Sequence, residues 1–164
     1  MASESGGGVV TFRGVVYPAQ CDAMGHMNAQ HYIAAFDQAM WHLVLQLGFL
    51  PSWVTERRRG WADVRYVVNF KNELHAGQLF SVESTVVRIG NSSLVSAHSL
   101  SEAASGVIAA EIEMTSIYFD LEKRTSRALP PSIRQAAKQM LASAALPADP
   151  DHKEGVAPRV GSPP

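Results

Sequence analysis

The chain has 164 residues, of which 46% are hydrophobic and 18% are charged, and its formal net charge is -1. This composition predicts one globular domain, and the balanced charge gives no electrostatic basis for binding nucleic acid or an anionic membrane. A single cysteine, Cys21, excludes an intramolecular disulfide framework, and no Cys/His cluster has the spacing of a zinc site. We therefore expect a soluble, cytoplasmic protein without a metal or other cofactor.

Neither a secretory leader nor a membrane-spanning segment is predicted. The N-terminus lacks a basic region followed by an apolar one, and no apolar run approaches the roughly 18 residues that a spanning helix needs. Residues 1–8 are rich in Gly and Ser, and residues 143–164 are rich in Pro, Ala and Asp without periodicity. We interpret both as flexible tails of a domain over residues 9–142.

The domain begins with a strand and a long apolar helix. Residues 9–17 are rich in β-branched and aromatic side chains, which indicates a strand. A helix is predicted over residues 29–47, with Asn28 as its N-cap and Gly48 just beyond its C-terminus. Because nearly every turn of this helix is apolar, we expect other structure to surround it on almost all sides.

Four further strands and a last helix follow. Short connections containing Gly77, Gly90 and Gly106 separate the strands, which predicts an antiparallel meander with positive φ at the turns. The last helix is predicted to begin near Pro131. The fold class is therefore α+β, an antiparallel five-stranded sheet wrapped around one long central helix. The four strands are predicted over residues 61–71, 78–89, 92–102 and 106–121.

A possible reaction site lies between the first strand and the helix. Asp22 occupies this junction, and Gly25 permits a tight turn beside it. The backbone amides of residues 28–30 lack partners within the helix, so they can stabilise an oxyanion while the carboxylate attacks a carbonyl or activates water. This pair of features is what acyl transfer or hydrolysis requires. The alternative, that Asp22 merely caps its own turn, remains open on spacing alone.

Two segments resemble a known family. These are "CDAMGHMNAQHYIAAFDQA" (21–39) and "NELHAGQLFSVESTVVRIGNSSLVSAHSL" (72–100). They are similar to the hotdog-fold acyl-CoA thioesterases of the 4-hydroxybenzoyl-CoA thioesterase type, which share the Asp, the x-x-Gly that follows it, and a Tyr ten residues after the Asp. The likeness extends over residues 15–131 and implies the hotdog fold and thioester hydrolysis.

The resemblance assigns roles to individual residues. It implies that Asp22 is the catalytic carboxylate, as nucleophile or general base, and that the Ala29 amide polarises the thioester carbonyl. The "GHMN" form is similar to the acyl-ACP thioesterase branch, which implies that His26 and Asn28 orient water or substrate. In place of a second acid found in many members, this chain has Gln20, which cannot ionise. The resemblance also places four residues near the nucleotide and phosphates of coenzyme A, unless they are simply a polar hairpin turn: Arg88, Asn91, Ser92 and Ser93.

Aromatic side chains are candidates for the acyl pocket, although most tryptophans near a helix are core residues. We expect this pocket to be lined by Tyr32, Phe36, Trp41 and Trp61. The stretch "YPAQCDAMGHMN" is also similar to the branch linked with carnitine breakdown, which makes betainyl-CoA one candidate substrate, with its ammonium held by cation–π attraction. We interpret "ERRRG" (56–60) as a solvated loop rather than a contact for the coenzyme A 3′-phosphate. Glu73 and His75 lie in a turn and could reach the site of a neighbouring subunit, but we interpret them as surface residues.

The resemblance also implies assembly into homodimers or homotetramers, with the active site at the dimer interface. The function favoured at this point is hydrolysis of a small or medium acyl-CoA to the free acid and coenzyme A. Two alternatives remain open, namely a hotdog protein that binds an acyl thioester without hydrolysing it, and a hydratase of the same fold.

Overall fold

The structure is a computed structural model that describes residues 8–144 of the chain. Five long strands and two helices form its frame. A single turn of 3-10 helix at Pro18–Gln20 precedes the first helix. In chain order the other elements are β1 (Val9–Val15), α1 (Ala29–Gln46), α2 (Trp53–Glu56), β2 (Arg59–Phe70), β3 (Leu79–Ile89), β4 (Ser93–Glu102), β5 (Ile108–Asp120), β6 (Thr125–Ser126) and α3 (Pro131–Ala144).

The predicted fold class is confirmed, because five long antiparallel strands and a central helix are present. The sequence did not predict α2, β6 or the 3-10 turn, all of which are too short to show a periodic pattern. The predicted tails, residues 1–8 and 143–164, lie almost entirely outside the described residues, and α3 continues to Ala144. Within residues 8–144, no helix is both long and apolar enough to cross a membrane.

The strand order corrects the predicted meander. The sheet has the order β1-β3-β4-β5-β2, with β6 as a short addition beside β5. Three consecutive strands, β3, β4 and β5, do form a meander, but β2 pairs with β5 at the opposite edge from β1. The segment between β2 and β3 (residues 71–78, the crossover segment) is therefore a crossover and not a hairpin turn.

The crossover segment passes over the start of α1. Leu74 is 1% exposed, and its carbonyl accepts a hydrogen bond from the Met27 amide at 2.7 Å. The Leu74 amide in turn donates to the Tyr32 hydroxyl at 3.2 Å. Because these contacts join the crossover segment to the first turns of α1, they bring two distant parts of the chain to one place.

Helix α1 is buried on one face and open on the other, which corrects the prediction that it is surrounded on almost all sides. Trp41 and Leu45 are each 42% exposed. A single sheet layer offers α1 one concave face, so one chain can cover only about half of the helix. The face toward the sheet is formed by Tyr32, Ala35, Phe36, Ala39, Met40, Leu43 and Val44.

The glycines at the turns act in two different ways. Gly77 and Gly106 adopt positive φ angles of 91° and 73°, as predicted, and Gly48 ends α1 at a φ of 95°. Gly90 does not adopt positive φ. A Cβ atom there would collide with Oγ of Ser93, so a larger residue at this position would require the Ser93 hydroxyl to turn away.

A chain of buried polar side chains crosses the core from β1 to β4. Oγ of Ser84 lies 2.6 Å from Oγ1 of Thr11 and 2.6 Å from Nδ1 of His98. The other ring nitrogen of His98, Nε2, lies 2.8 Å from Oγ of Ser96. A neutral imidazole satisfies both neighbours, since one nitrogen donates and the other accepts. Burial lowers the pKa of His98 to about 4.

We predict that this histidine makes the fold sensitive to acid. At pH values well above 6.5 the ring is neutral in both the folded and the unfolded chain, so it adds no pH dependence there. As the pH falls from 6.5 towards 4, the unfolded chain takes up a proton that the folded chain excludes, which lowers the free energy of unfolding by roughly 3 kcal/mol. Denaturant unfolding at several pH values measures the effect.

The matched control is the variant His98→Gln, which keeps hydrogen-bonding groups but cannot titrate. We expect this variant to be less stable than the wild type at pH 7 and to lose less stability between pH 6.5 and pH 4. An equal loss in the two proteins over that range would contradict the assignment of the acid sensitivity to His98.

Candidate active site

The loop between β1 and α1 is closed at its base by an isolated antiparallel β-bridge between the backbones of Cys21 and Met27. Within it, the Asp22 amide donates to the His26 carbonyl at 3.0 Å, and the Gly25 amide donates to the Asp22 carbonyl at 3.0 Å. Gly25 adopts a φ of 86°, a region that favours glycine, and this allows the tight turn that the sequence predicted. The loop therefore holds Asp22 at a defined position beside α1.

The Asp22 side chain is half-buried and has one oxygen committed to the loop. Its Oδ1 accepts a hydrogen bond from the Met24 amide at 2.8 Å, which is the turn-capping contact considered above as the alternative. No hydrogen bond from residues 8–144 reaches Oδ2. Asp22 can therefore cap its own turn and also take part in a reaction, because Oδ1 anchors the side chain while Oδ2 is available to a substrate or water.

None of the three amides expected to lack partners within α1 bonds inside the helix, but two of them find partners elsewhere. The Asn28 amide donates to the Gln20 carbonyl at 2.9 Å, and the Gln30 amide donates to Oδ1 of Asn28 at 3.1 Å. Asn28 is thus the N-cap, as predicted. The Ala29 amide makes no hydrogen bond with any residue in the described part of the chain. It remains available as an oxyanion donor, aided by the positive end of the helix dipole.

Asp22 and Ala29 line the same pocket, which has a volume of about 400 Å³. His26 and Asn28 also line it, so the structure brings together the four residues that the sequence suggested for catalysis. The opposite wall comes from the end of β2 and the crossover segment, and it is formed by Phe70, Lys71, Asn72 and Glu73.

Glu73 is exposed, as expected, but it also lines the pocket of its own chain, which sequence reasoning did not predict. Its carboxylate lies 3.7 Å from Nε2 of His26 and 3.9 Å from Nε2 of His75. The crossover after β2 brings this carboxylate to the pocket that Asp22 lines, and local sequence does not reveal a crossover. The available signal was Leu74, a single buried leucine in the polar segment "NELHAG", which indicates that this segment packs against the core.

Of the four residues expected to line the acyl pocket, the structure brings Tyr32 to it. The ring of Tyr32 meets Phe70 edge-on at 5.4 Å, and burial raises the pKa of its hydroxyl. Phe36 points into the core and lies 6.4 Å from the ring of His98. Trp41 and Trp61 instead belong to an aromatic cluster around Phe49, with ring centroids 6.3 Å and 6.1 Å from it.

The four residues expected near coenzyme A lie far from Asp22 within one chain. Arg88 near the end of β3, Asn91 and Ser92 in the β3–β4 turn, and Ser93 at the start of β4 lie together. The Asp22 loop lies near the start of β3, about 33 Å of extended strand away. The turn is anchored to other elements: the Leu129 amide and Nη2 of Arg134 donate to the Asn91 carbonyl, and the Tyr118 amide donates to the Ser92 carbonyl. The structure does not bring these residues to the pocket of the same chain.

No group of three or more His, Cys, Asp or Glu side chains within residues 8–144 has the geometry of a metal site.

Residues 16–137 match the sequence profile of the thioesterase-like superfamily. The chain belongs to that superfamily. By class, the protein is therefore a thioester hydrolase. The matched region contains the Asp22 loop, α1 and the crossover segment, so the pocket lies within the thioesterase-like domain. No curated protein sequence matches the chain significantly.

Solved structures confirm the hotdog fold of this thioesterase-like protein. A protein from Staphylococcus aureus in complex with CoA matches with a TM-score of 0.78 at 16% identity, over 92% of this chain and 97% of that one. A 1,4-dihydroxy-2-naphthoyl-CoA thioesterase from Synechocystis matches with a TM-score of 0.69 at 17% identity, over 79% and 95%. A thioesterase from Thermus thermophilus, complexed with coenzyme A and Zn, matches with a TM-score of 0.68 at 22% identity, over 81% and 94%.

Proposed function

We propose that the protein hydrolyses an acyl-CoA thioester to the free acid and coenzyme A at the pocket of Asp22. One observation carries this proposal: the Asp22 carboxylate and the Ala29 amide line the same pocket, and neither Oδ2 of Asp22 nor this amide has a hydrogen-bond partner within residues 8–144. Hydrolysis of a thioester needs these two elements, a group that attacks or activates water and a donor for the oxyanion.

The proposed reaction begins with the thioester carbonyl oxygen at the Ala29 amide. Oδ2 of Asp22 either attacks the carbonyl carbon, which forms a mixed anhydride that water then hydrolyses, or removes a proton from an attacking water. In both routes the C–S bond breaks and coenzyme A leaves as a thiolate, which the helix N-terminus tolerates because it stabilises negative charge. Neither route requires a metal ion.

His26 and Asn28 have supporting roles in this proposal. Nε2 of His26 faces the Glu73 carboxylate, so the two side chains can hold a water molecule between them and Asp22. Asn28 uses its side-chain oxygen to cap α1, which leaves its NH₂ group as a donor towards the pocket. Glu73 therefore joins the proposed site as a residue that orients His26 or water.

The acyl group that we propose is small or medium in size, and betainyl-CoA is one candidate. The edge-on pair of Tyr32 and Phe70 presents aromatic rings to the pocket, and Glu73 adds a carboxylate. Aromatic rings and a carboxylate favour a quaternary ammonium group. The same rings also accept an apolar or aromatic acyl group, so aromatic acyl-CoAs are the principal competitors.

We further propose that the protein works in the cytoplasm as a homodimer or homotetramer. Strand β2 is an edge strand, and several apolar side chains along it are exposed. A long apolar edge strand pairs readily with another chain unless it is covered, so pairing of β2 with its symmetry mate would explain this surface. The exposed side chains are Val64, Tyr66, Val67 and Phe70.

A panel of thioesters tests the function. The purified protein is incubated with betainyl-CoA, with aromatic acyl-CoAs and with short and medium fatty acyl-CoAs and enoyl-CoAs, and free thiol and product masses are measured. We expect release of coenzyme A together with the free acid from at least one member. Binding without thiol release would instead indicate a thioester-binding protein. A hydroxyacyl product with an intact thioester would indicate a hydratase.

A further inference from the structure

The tip of the Asp22 loop, residues 22–26, is not held by packing against the core. Residues 23–25 are exposed, and Met24 is exposed over 75% of its surface. A Cβ atom built on Gly25 would meet no atom within 4 Å beyond its chain neighbours, so this part of the tip faces open space. Hydrogen bonds, rather than apolar contacts, must therefore fix the turn that carries Asp22.

Most hydrogen bonds of the tip join it only to itself. The Asp22 amide donates to the His26 carbonyl, the Gly25 amide donates to the Asp22 carbonyl, and the Met24 amide donates to Oδ1 of Asp22. These bonds give the tip its internal shape, but they do not fix it relative to the rest of the fold. A shift of Gly25 would pass directly to Asp22, because the two residues share a hydrogen bond of 3.0 Å.

One side chain from another segment forms a hydrogen bond with the tip. Nδ1 of His75, in the crossover segment, lies 3.1 Å from the Gly25 carbonyl oxygen. A carbonyl oxygen can only accept, so Nδ1 carries a proton and donates to it. In the described part of the chain, no other hydrogen bond joins residues 22–26 to a segment outside the loop. The neighbouring pair of Glu73 and His26, at 3.7 Å, is beyond hydrogen-bond distance.

His75 is itself anchored through its backbone, although its side chain is 56% exposed. Its amide donates to Oε1 of Gln78 at 2.7 Å, and the Gln78 amide donates to the His75 carbonyl at 3.1 Å. This turn is joined to the end of β1, because the Gly77 amide donates to the Val16 carbonyl at 2.8 Å and Val16 is 1% exposed. The His75 side chain therefore connects the loop to a buried part of the sheet.

We propose that His75 is a positioning residue of the active site, which holds the tip of the loop so that Oδ2 of Asp22 faces a thioester bound at the Ala29 amide. This proposal rests on the proposed thioesterase function. The Ala29 amide is fixed by α1, whereas the Asp22 carboxylate is fixed through the loop. A displacement of about 1 Å between two groups that act on one substrate is enough to slow a reaction strongly. In this role His75 acts through Gly25 and does not touch the substrate.

The two ring nitrogens of His75 allow a specific test. In His75→Asn the side-chain NH₂ takes the place of Nδ1 and can still donate to the Gly25 carbonyl. In His75→Gln the NH₂ group takes the place of Nε2, which lies 3.9 Å from Glu73, and the donor to Gly25 is lost. With an acyl-CoA as substrate, we expect His75→Gln and His75→Ala to lower kcat about tenfold, with KM changed by no more than a few fold. His75→Asn should stay within about twofold of the wild-type kcat.

Two controls separate positioning from other roles of a histidine. His42→Ala removes an exposed histidine from α1 and should keep the wild-type kcat. A positioning residue transfers no proton, so His75→Asn should also keep the shape of the wild-type pH profile of kcat. A low kcat in His75→Asn, together with the loss of one limb of that profile, would show that His75 acts as an acid or base and would overturn the proposal. Since the bond is exposed, thermal unfolding of all variants should remain close to that of the wild type.

Amide hydrogen exchange, followed by NMR, separates the failure of this proposal from the failure of the proposed function. The Met24 and Gly25 amides should exchange about tenfold faster in His75→Ala than in the wild type, with no change in β4. If no acyl-CoA is hydrolysed but exchange accelerates in this way, His75 holds the loop and the hydrolase proposal fails. If acyl-CoA is hydrolysed and His75→Ala has the wild-type kcat and exchange rates, the positioning proposal fails alone. In an active hydrolase, a change in only one of these two readouts would also overturn it.

Discussion

Asp22→Asn is expected to lower kcat for acyl-CoA hydrolysis about a thousandfold, with KM changed by no more than a few fold. An amide cannot act as a nucleophile or base, but its oxygen can still accept the hydrogen bond from the Met24 amide. The loop and the pocket should therefore keep their shape. The loss would appear in the chemical step, as measured by the rate of thiol release at saturating substrate.

Two further variants make this prediction specific to Asp22. Glu83→Gln changes an acid on the outer face of β3 and should leave kcat unchanged. Glu73→Gln changes the second carboxylate of the pocket, and we expect a smaller loss of about tenfold, because Glu73 acts through His26 or water. If Glu73→Gln were the more damaging of the two pocket variants, the carboxylate that performs the chemistry would be Glu73 and the assignment to Asp22 would be wrong.

Ala29→Pro is expected to lower kcat by a factor of about one hundred to one thousand, because it removes the proposed oxyanion donor. Position 29 is the first residue of α1, where proline is well tolerated since its missing amide would have no partner inside the helix. The Ala29 amide makes no hydrogen bond in the described chain, so the substitution breaks no contact there. Thiol release measures the effect, and thermal unfolding checks that α1 remains intact.

Ala29→Gly is the matched control, because it keeps the amide and removes only the methyl group. We expect its kcat to lie within a few fold of the wild-type value, with a small loss of stability. Wild-type activity in Ala29→Pro would show that another donor holds the oxyanion. The NH₂ group of Asn28 would then be the first candidate, and Asn28→Asp would test it by replacing that donor with an acceptor.

The sequence predicted the elements that depend on local patterns. The alternation of apolar side chains marked the five long strands, and the cap at Asn28 and Gly48 marked both ends of α1. Gly25 marked the tight turn beside Asp22. These features depend on residues that are close together in the chain, so periodicity and turn chemistry were sufficient to find them.

The pairing of the strands could not be predicted from local sequence patterns. Adjacent strands with a short connection suggested that β2 pairs with β3, whereas β2 pairs with β5 at the far edge of the sheet. The choice depends on how the sheet curves over α1, which involves contacts between Leu74, Met27 and Tyr32. That crossover brings Glu73 and Phe70 to the pocket of Asp22, and for this reason the sequence missed one wall of the pocket.

Burial also depended on the tertiary structure. An apolar helix suggested that Trp41 would be enclosed, but one curved sheet covers one face of α1, and Trp41 remains 42% exposed. The same holds for His75, which was expected to be a surface residue. Its hydrogen bond to the Gly25 carbonyl forms because the crossover segment lies against the Asp22 loop.

By itself, the sequence determined the strands, the caps and the acid beside a helix start, because each of these is a short-range property of the chain. The tertiary structure decided which side chains share a pocket with Asp22 and which face of α1 is open. It also decided that His75 reaches the tip of the Asp22 loop, because contacts between residues far apart in sequence depend on the path of the whole sheet.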